Sequence, residues 1–249
     1  MNNDSGMSKR QMRRAKMRRD QMRGRLIGLS VIVGVALCAA AVLIYPNFKP
    51  VGTIATAEEF ARPRAQANAA GDPDAPIKIE EFSDFQCPYC GNFYRDTERQ
   101  LVDTYVATGK VYLVYRSFGA FIGGESGRAA EAAYCAGDQN KFWEMHDIIF
   151  ANQTGENVGD YTDKRLDAFA QAIGLDMAGF DACFGSGKYA DQVDQDLVDG
   201  RAAGVTATPS FVLTYTVGGT PKSSVIAGAY PFREFQTQID AALAEMGLQ

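Results

Sequence analysis

Two cysteines separated by two residues, Cys87-Pro88-Tyr89-Cys90, are the side chains in this sequence best suited to chemistry. They follow an apolar run (Ile77, Ile79, Phe82, Phe85) and precede a stretch with helical spacing, which puts Cys87 at a helix N-terminus. Unpaired backbone N–H groups and the helix dipole favour negative charge there, and the thiolate is the reactive form of cysteine. Cys90, one turn further in, is placed to close a small disulfide ring with Cys87. A substrate thiolate that attacks such a disulfide gives a mixed disulfide, which a second substrate thiol resolves. A free thiol of pKa about 8.5 is only a few per cent ionised at pH 7, whereas helix-terminal cysteines fall to about 3.5–7.5. Each unit of depression is worth about 1.4 kcal/mol, or roughly 30 mV in a two-electron couple.

The elements around the motif follow from periodicity. Residues 77–83 and 111–116 are short, apolar and bounded by turn residues, as buried strands are. Residues 92–108 between them have helical spacing and end at Gly109, so the unit predicts parallel strands joined by a right-handed crossover. Helices are predicted at 126–136, 141–150, 163–173, 176–183 and 189–203, with Asp163 and Asp176 each opening its helix as a cap. Residues 211–215 and 224–227 read as strands around a Gly218-Gly219 hairpin turn, and 232–246 as an amphipathic helix. The first and last parts then form one mixed α/β sheet, and helices at about 120–187 form an insertion. There is no internal repeat and no phosphate-binding glycine loop, and no cofactor is expected.

Charge is unevenly distributed. The net charge is −5, yet residues 1–25 carry Lys9, Arg10, Arg13, Arg14, Lys16, Arg18, Arg19, Arg23 and Arg25 against Asp4 and Asp20. The remainder is strongly acidic, which argues against nucleic acid as a partner. Residues 26–45 run without a charge, and twenty helical residues span about 30 Å, the thickness of a bilayer's hydrocarbon core. A cleaved signal peptide is the competing reading, with Ala39 and Ala41 resembling a cleavage site. Val42-Leu43-Ile44-Tyr45 continue the apolar run beyond it, which favours a retained transmembrane helix. Basic residues before the span place the N-terminus in the cytoplasm and everything after it outside. Residues 46–75, rich in proline and glycine, read as a linker with a short helix around 57–61, and order is expected from Ile77. The domain of interest then covers 76–249.

Outside the cytoplasm disulfides persist. Cys38 falls within the apolar span and faces lipid or packs. Cys135 and Cys183, in two predicted helices, are either separate buried thiols or a structural disulfide, and the compartment favours the disulfide. His146, the only histidine, has no partner at ligand spacing and reads as a packing or surface residue; no metal site is expected. Glu81 shares strand parity with Ile77 and Ile79 and should point inward, although a carboxylate at a strand end is also commonly exposed.

The pattern resembles the DsbA family of extracytoplasmic thioredoxin-fold oxidoreductases from about Gly71 to the C-terminus. The residues that carry the resemblance are Gly71-Asp72-Pro73-Asp74-Ala75-Pro76, Glu81-Phe82, Cys87-Pro88-Tyr89-Cys90, Phe142-Trp143-Glu144-Met145-His146-Asp147 and Gly204-Val205-Thr206-Ala207-Thr208-Pro209-Ser210-Phe211. The resemblance implies a thioredoxin fold with an inserted helical domain, Cys87 as the exposed nucleophile and Cys90 as its buried partner. It implies a cis Thr208-Pro209 bond facing the disulfide, next to which an extended substrate segment adds as a strand. It also favours Glu81 as a buried carboxyl that relays the proton of Cys90. Tyr89 departs from the histidine of the best-known members; tyrosine brings no positive charge, so a less oxidising couple is expected.

The implied function is a membrane-anchored enzyme that oxidises cysteine pairs of exported proteins and is reoxidised by a quinone-linked membrane partner. A thiol reductase or isomerase of the same fold, and a non-catalytic client-binding module using the Pro209 groove, remain as alternatives.

Overall fold

The computed structural model describes residues 9–48, 51–58 and 60–248, and the chain divides into two units, 1–50 and 51–249. In the first unit, α1 (Lys9–Phe48) is one helix, and its apolar side chains such as Leu26, Ile32 and Leu37 are about two-thirds exposed. So large an apolar surface is unfavourable in water. Within Met12–Ala40 an 18-residue window reaches a mean hydropathy of 1.7, and the helix is long and apolar enough there to cross a membrane. Cys38 is exposed on this helix. Residues 1–8 of the basic segment lie outside the described residues.

The second unit is built on a five-stranded sheet in the order β1-β3-β2-β4-β5, comprising β1 (Ala69–Ala70), β2 (Ile77–Ser83), β3 (Val111–Ser117), β4 (Ser210–Val217) and β5 (Thr220–Ala227). β2 and β3 are parallel, with Glu81 opposite Tyr115, and β4 runs antiparallel to β2, with Phe211 opposite Glu81. The β2–β3 crossover is a helical run, α2, over residues 88–106; it winds as a wider π-helix at Tyr94–Glu98 and again at Val102–Val106. Gly218 and Gly219 both have positive φ, +55° and +81°, as the two central residues of a type I′ hairpin turn require.

Between β3 and β4 lie α3 (Gly124–Gly137), α4 (Phe142–Ala151), α5 (Asp163–Ala172), α6 (Met177–Ser186) and α7 (Ala190–Ala202), and α8 (Phe232–Glu245) closes the unit. Ile77, Ile79 and Leu113 on one face of the sheet join the main core with Phe93, Phe211 and Phe235. Phe82, on the opposite face of β2, packs with Phe118, Val205 and Val212. Both faces are therefore covered, as a sheet with parallel strands requires.

Two expectations need correction. Asp176 caps α6 by accepting from the amides of Ala178 and Gly179, but Asp163 is not a cap. Thr162 holds the N-cap position of α5, and the Asp163 carboxylate turns to Arg128 instead (3.0 Å). Order also begins well before Ile77. The described residues at 57–61 form no helix, and β1 pairs with β3. The strap 51–68 is tied to the body: Asn152 exchanges hydrogen bonds with the Ala55 backbone (both 2.9 Å), and Arg165 donates to the Val51 carbonyl (2.7 Å). Proline and glycine content gave this segment the look of a linker, and its long-range polar contacts override that composition.

Candidate active site

β2 ends at Ser83, and a tight turn carries the chain into α2. The Cys87 amide donates to the Asp84 carbonyl (2.9 Å), while the Asp84 carboxylate accepts from the Gln86 amide (2.8 Å). Cys87 is the N-cap of α2, with extended backbone angles, and Pro88 occupies the first helical position, where a missing N–H costs nothing. The Cys87 thiol donates to the Thr208 carbonyl at 3.4 Å. The Cys90 sulfur is fully buried and accepts from the Asp84 amide at 3.5 Å.

The two thiols are held far apart in acidity. Hydrogen bonding from the Cys90 thiol is the strongest influence on Cys87; with the Tyr89 and Cys90 amides, it outweighs burial and brings the Cys87 pKa down to about 6. Burial, and next the neighbouring Cys87, push Cys90 well above the ordinary thiol range. The arrangement therefore supplies one ionised sulfur and one protonated sulfur in the same turn of helix.

Cys87 is more covered than the resemblance implies: 5 % of its surface is accessible, against 65 % for Tyr89. The reason is tertiary, because the N-cap side chain turns to the Thr208 carbonyl, 121 residues away in sequence, instead of pointing into solvent. Thr208-Pro209 is a cis peptide at the start of β4, and the Pro209 carbonyl accepts from the Gly228 amide (2.8 Å).

Glu81 is buried on the face of β2 that carries Ile77 and Ile79, and its Oε2 has no hydrogen-bond partner among the described residues. Burial, and next the charge of Glu98, push its carboxyl well above the usual range. Cys135 and Cys183 form a disulfide joining α3 and α6, with Cα atoms 5.8 Å apart. His146 lies inside an aromatic cage of Phe85, Tyr94, Tyr115 and Phe150, its Nδ1 2.8 Å from Asp147. Among the described residues, no group of three or more His, Cys, Asp or Glu side chains is placed to hold a metal.

Sequence reasoning missed two features near the site. Gln153 donates to the carbonyls of Phe85 (2.8 Å) and Cys87 (2.9 Å), holding the turn from the side of α4. Arg62 reaches in from the strap and donates twice to Glu98 (2.9 and 2.8 Å) and twice to Asp147 (2.9 and 2.7 Å). Nothing in local spacing announces either, because both partners are set by long-range packing. A cleft of 740 Å³ opens beside this cluster, lined among others by Arg62, Trp143, Glu144 and Asp147, rather than over the dithiol.

A dithiol at the start of a crossover helix, facing the first residues of an antiparallel strand, on a sheet with an inserted helical layer, defines a thioredoxin-fold redox site. Comparison with known proteins agrees. A family model described as thioredoxin matches residues 65–240, and the chain belongs to that family, with a DsbA-like fold. BdbD from Bacillus subtilis superposes with a TM-score of 0.62 at 21 % identity, covering 76 % of this chain and all of that one. Alpha-DsbA1 of Wolbachia pipientis gives 0.61 at 22 % identity, covering 74 % of this chain and 94 % of that one. A Bacillus cereus protein called Probable disulfide bond formation protein D is 40 % identical over 85 residues, 33 % of this chain and 39 % of the relative. The Na(+)/H(+) antiporter NhaA 1 of Salinispora arenicola is 31 % identical over 142 residues, 57 % of this chain. This chain spans about a fifth of the length of that relative (20 %).

Proposed function

We propose that the chain is a membrane-anchored, extracytoplasmic thiol–disulfide oxidoreductase that oxidises cysteine pairs of exported proteins through a Cys87–Cys90 disulfide. The observation that carries this reading is the placement of the two sulfurs, Cys87 at the N-cap of α2 and Cys90 fully buried in its first turn, which draws their acidities apart. An ionised Cys87 is a stable leaving group, which makes its disulfide a better oxidant. In the reaction a substrate thiolate attacks Cys87 Sγ; the new S–S bond forms as the Cys87–Cys90 bond breaks, and the electron pair goes to Cys90 Sγ. Cys90 takes a proton from the Glu81 carboxyl. A second substrate thiolate then attacks the substrate sulfur of the mixed disulfide, and Cys87 leaves as the thiolate. The substrate is oxidised by two electrons and the enzyme holds two reduced sulfurs.

In this reading Thr208 and Pro209 present the substrate segment, Pro88 and Tyr89 shape the motif, and Cys135–Cys183 braces the helical layer. Residues 26–45 form the anchor, with the N-terminus inside and the redox domain outside the inner membrane of a bacterium. A quinone-linked membrane protein restores the disulfide.

The test is acid trapping of the dithiol state in intact cells. A mostly oxidised Cys87–Cys90 pair supports the oxidase; a mostly reduced pair assigns the chain as a reductase or isomerase. Rescue of the deletion phenotype by a Cys87→Ser/Cys90→Ser variant would instead assign a client-binding module.

A further inference from the structure

We propose that Arg62 and Glu98 are positioning residues for proton transfer at Cys90, acting through Glu81. The proposal deepens the redox reading above and rests on it.

Beneath the dithiol lies a set of buried polar atoms without hydrogen-bond partners among the described residues: Glu81 Oε2, Ser83 Oγ, Glu98 Oε2 and Tyr115 OH. A buried polar group without a well-formed hydrogen bond is costly, so such a cluster beside a dithiol points to a function. Ser83 lies beside both Glu81 and Cys90, and Tyr115 feels the charge of both. The groups facing Glu81 are Ser83 on its own strand, Tyr115 from β3, Glu98 from α2 and Arg62 from the strap, while its β4 neighbour Phe211 is apolar. Ser83 thus links Glu81 to Cys90 on one side, while Glu98 and Arg62 act on Glu81 from the other.

The cluster is asymmetric. Arg62 grips only Oε1 of Glu98, leaving Oε2 unpaired, and divides its remaining donors with Asp147. Glu98 therefore keeps part of its negative field at Glu81, raising the proton affinity of that carboxyl, and Arg62 limits how far it rises. The balance decides whether Glu81 can take a proton from Cys90 and return it. Arg62 lies on the strap that follows the apolar helix in sequence, so the segment leading from the anchor supplies a residue that tunes the redox centre.

The test follows release of glutathione from a Cys87–glutathione mixed disulfide in the full-length chain in detergent. Here the Cys90 thiol gives its proton to Glu81 and the resulting thiolate attacks Cys87 Sγ. The Cys87–Cys90 bond forms as the mixed S–S bond breaks, and the glutathione thiolate departs with the electron pair. The rate rises with pH as Glu81 becomes a base. Glu98→Gln keeps the Arg62 contact and removes the charge, so the midpoint should move acidward by about 1 pH unit. Arg62→Met should move it alkaline, and Arg62→Lys should restore the wild-type midpoint. In a Glu81→Gln background neither substitution should shift the profile. A midpoint unmoved by Glu98→Gln, or a shift that persists in Glu81→Gln, overturns the inference. If Glu98→Gln does not fold, the Arg62→Met and Arg62→Lys pair decides it, and identical profiles for those two overturn it. A Glu81→Gln profile identical to wild type removes the relay itself and this inference with it. A normal relay with unmoved Glu98 and Arg62 variants removes only this inference.

Discussion

The Cys87 thiol lies 3.4 Å from the carbonyl oxygen of Thr208, so the start of α2 and the start of β4 meet on one sulfur although 121 residues separate them. On the other side the Cys90 thiol is the strongest influence on the acidity of the nucleophile, drawing it down against the burial that this packing imposes.

With a pKa of about 6, Cys87 is mostly thiolate at pH 7. Because its folded value is depressed below the ordinary thiol value of 9.0 to about 6, its contribution stabilises the reduced form increasingly as pH rises from about 6 to about 9 and disappears below about 6. At pH 7 it amounts to about 1.4 kcal/mol. Ultraviolet titration of the thiolate should give a midpoint near 6, and Cys90→Ala, which removes the strongest donor, should raise it. A midpoint near that of a free thiol would refute the assignment of the nucleophile.

Tyr89 is the exposed member of the motif. Tyr89→His introduces a group that carries positive charge near the thiolate when protonated. The substitution should lower the Cys87 pKa further and make the couple more oxidising by roughly 30 mV per unit. Equilibration with a glutathione buffer measures this, and unchanged values in the variant would exclude any role for residue 89 in setting the potential.

The Cys135–Cys183 bridge closes a loop of 48 residues. Replacing both with alanine should cost up to about 4 kcal/mol in the chain-entropy account, seen as a lower urea midpoint. The Cys87 titration should stay where it is. A variant as stable as wild type would show that packing of α3 on α6 needs no covalent tie.

Arg62→Met leaves Glu98 and Asp147 buried without their shared cation. Removing one partner from a buried ion cluster typically costs about 3–5 kcal/mol, and chemical denaturation should show a loss in that range. A loss under about 1 kcal/mol, the scale of surface pairs, would mean that the strap does not hold this cluster closed.

Gly91 faces Gln153 so closely that an added Cβ would meet Oε1 at 2.3 Å. Gly91→Ala should therefore dislodge the amide that holds the Phe85 and Cys87 carbonyls, costing about 1–2 kcal/mol against any gain in helix propensity. Gln153→Ala should cost a similar amount, and the double substitution no more than either alone. Additive losses would show that the two residues act independently.

Most of the frame was legible because it is local. Alternation along 77–83 and the helical spacing after it follow from backbone geometry, and so placed the cysteine pair at a helix start and Glu81 on an inward face. The hairpin glycines and the Asp176 cap are equally local. Asp163 shows where this logic stops, since its carboxylate answers to Arg128 from another helix rather than to its own backbone.

The sequence by itself determined the chemistry available: two thiols one turn apart, a carboxylate on the inner face of the preceding strand, and an apolar helix long enough for a bilayer. Only the tertiary structure decided which charges share the interior with that carboxylate. Arg62 stands 36 residues from Glu98 and 85 from Asp147, and it lies in a segment whose composition reads as a tether. Pairings at such separations leave no periodic trace, because they are chosen by what the folded core brings together and by the cost of leaving a buried charge unpaired.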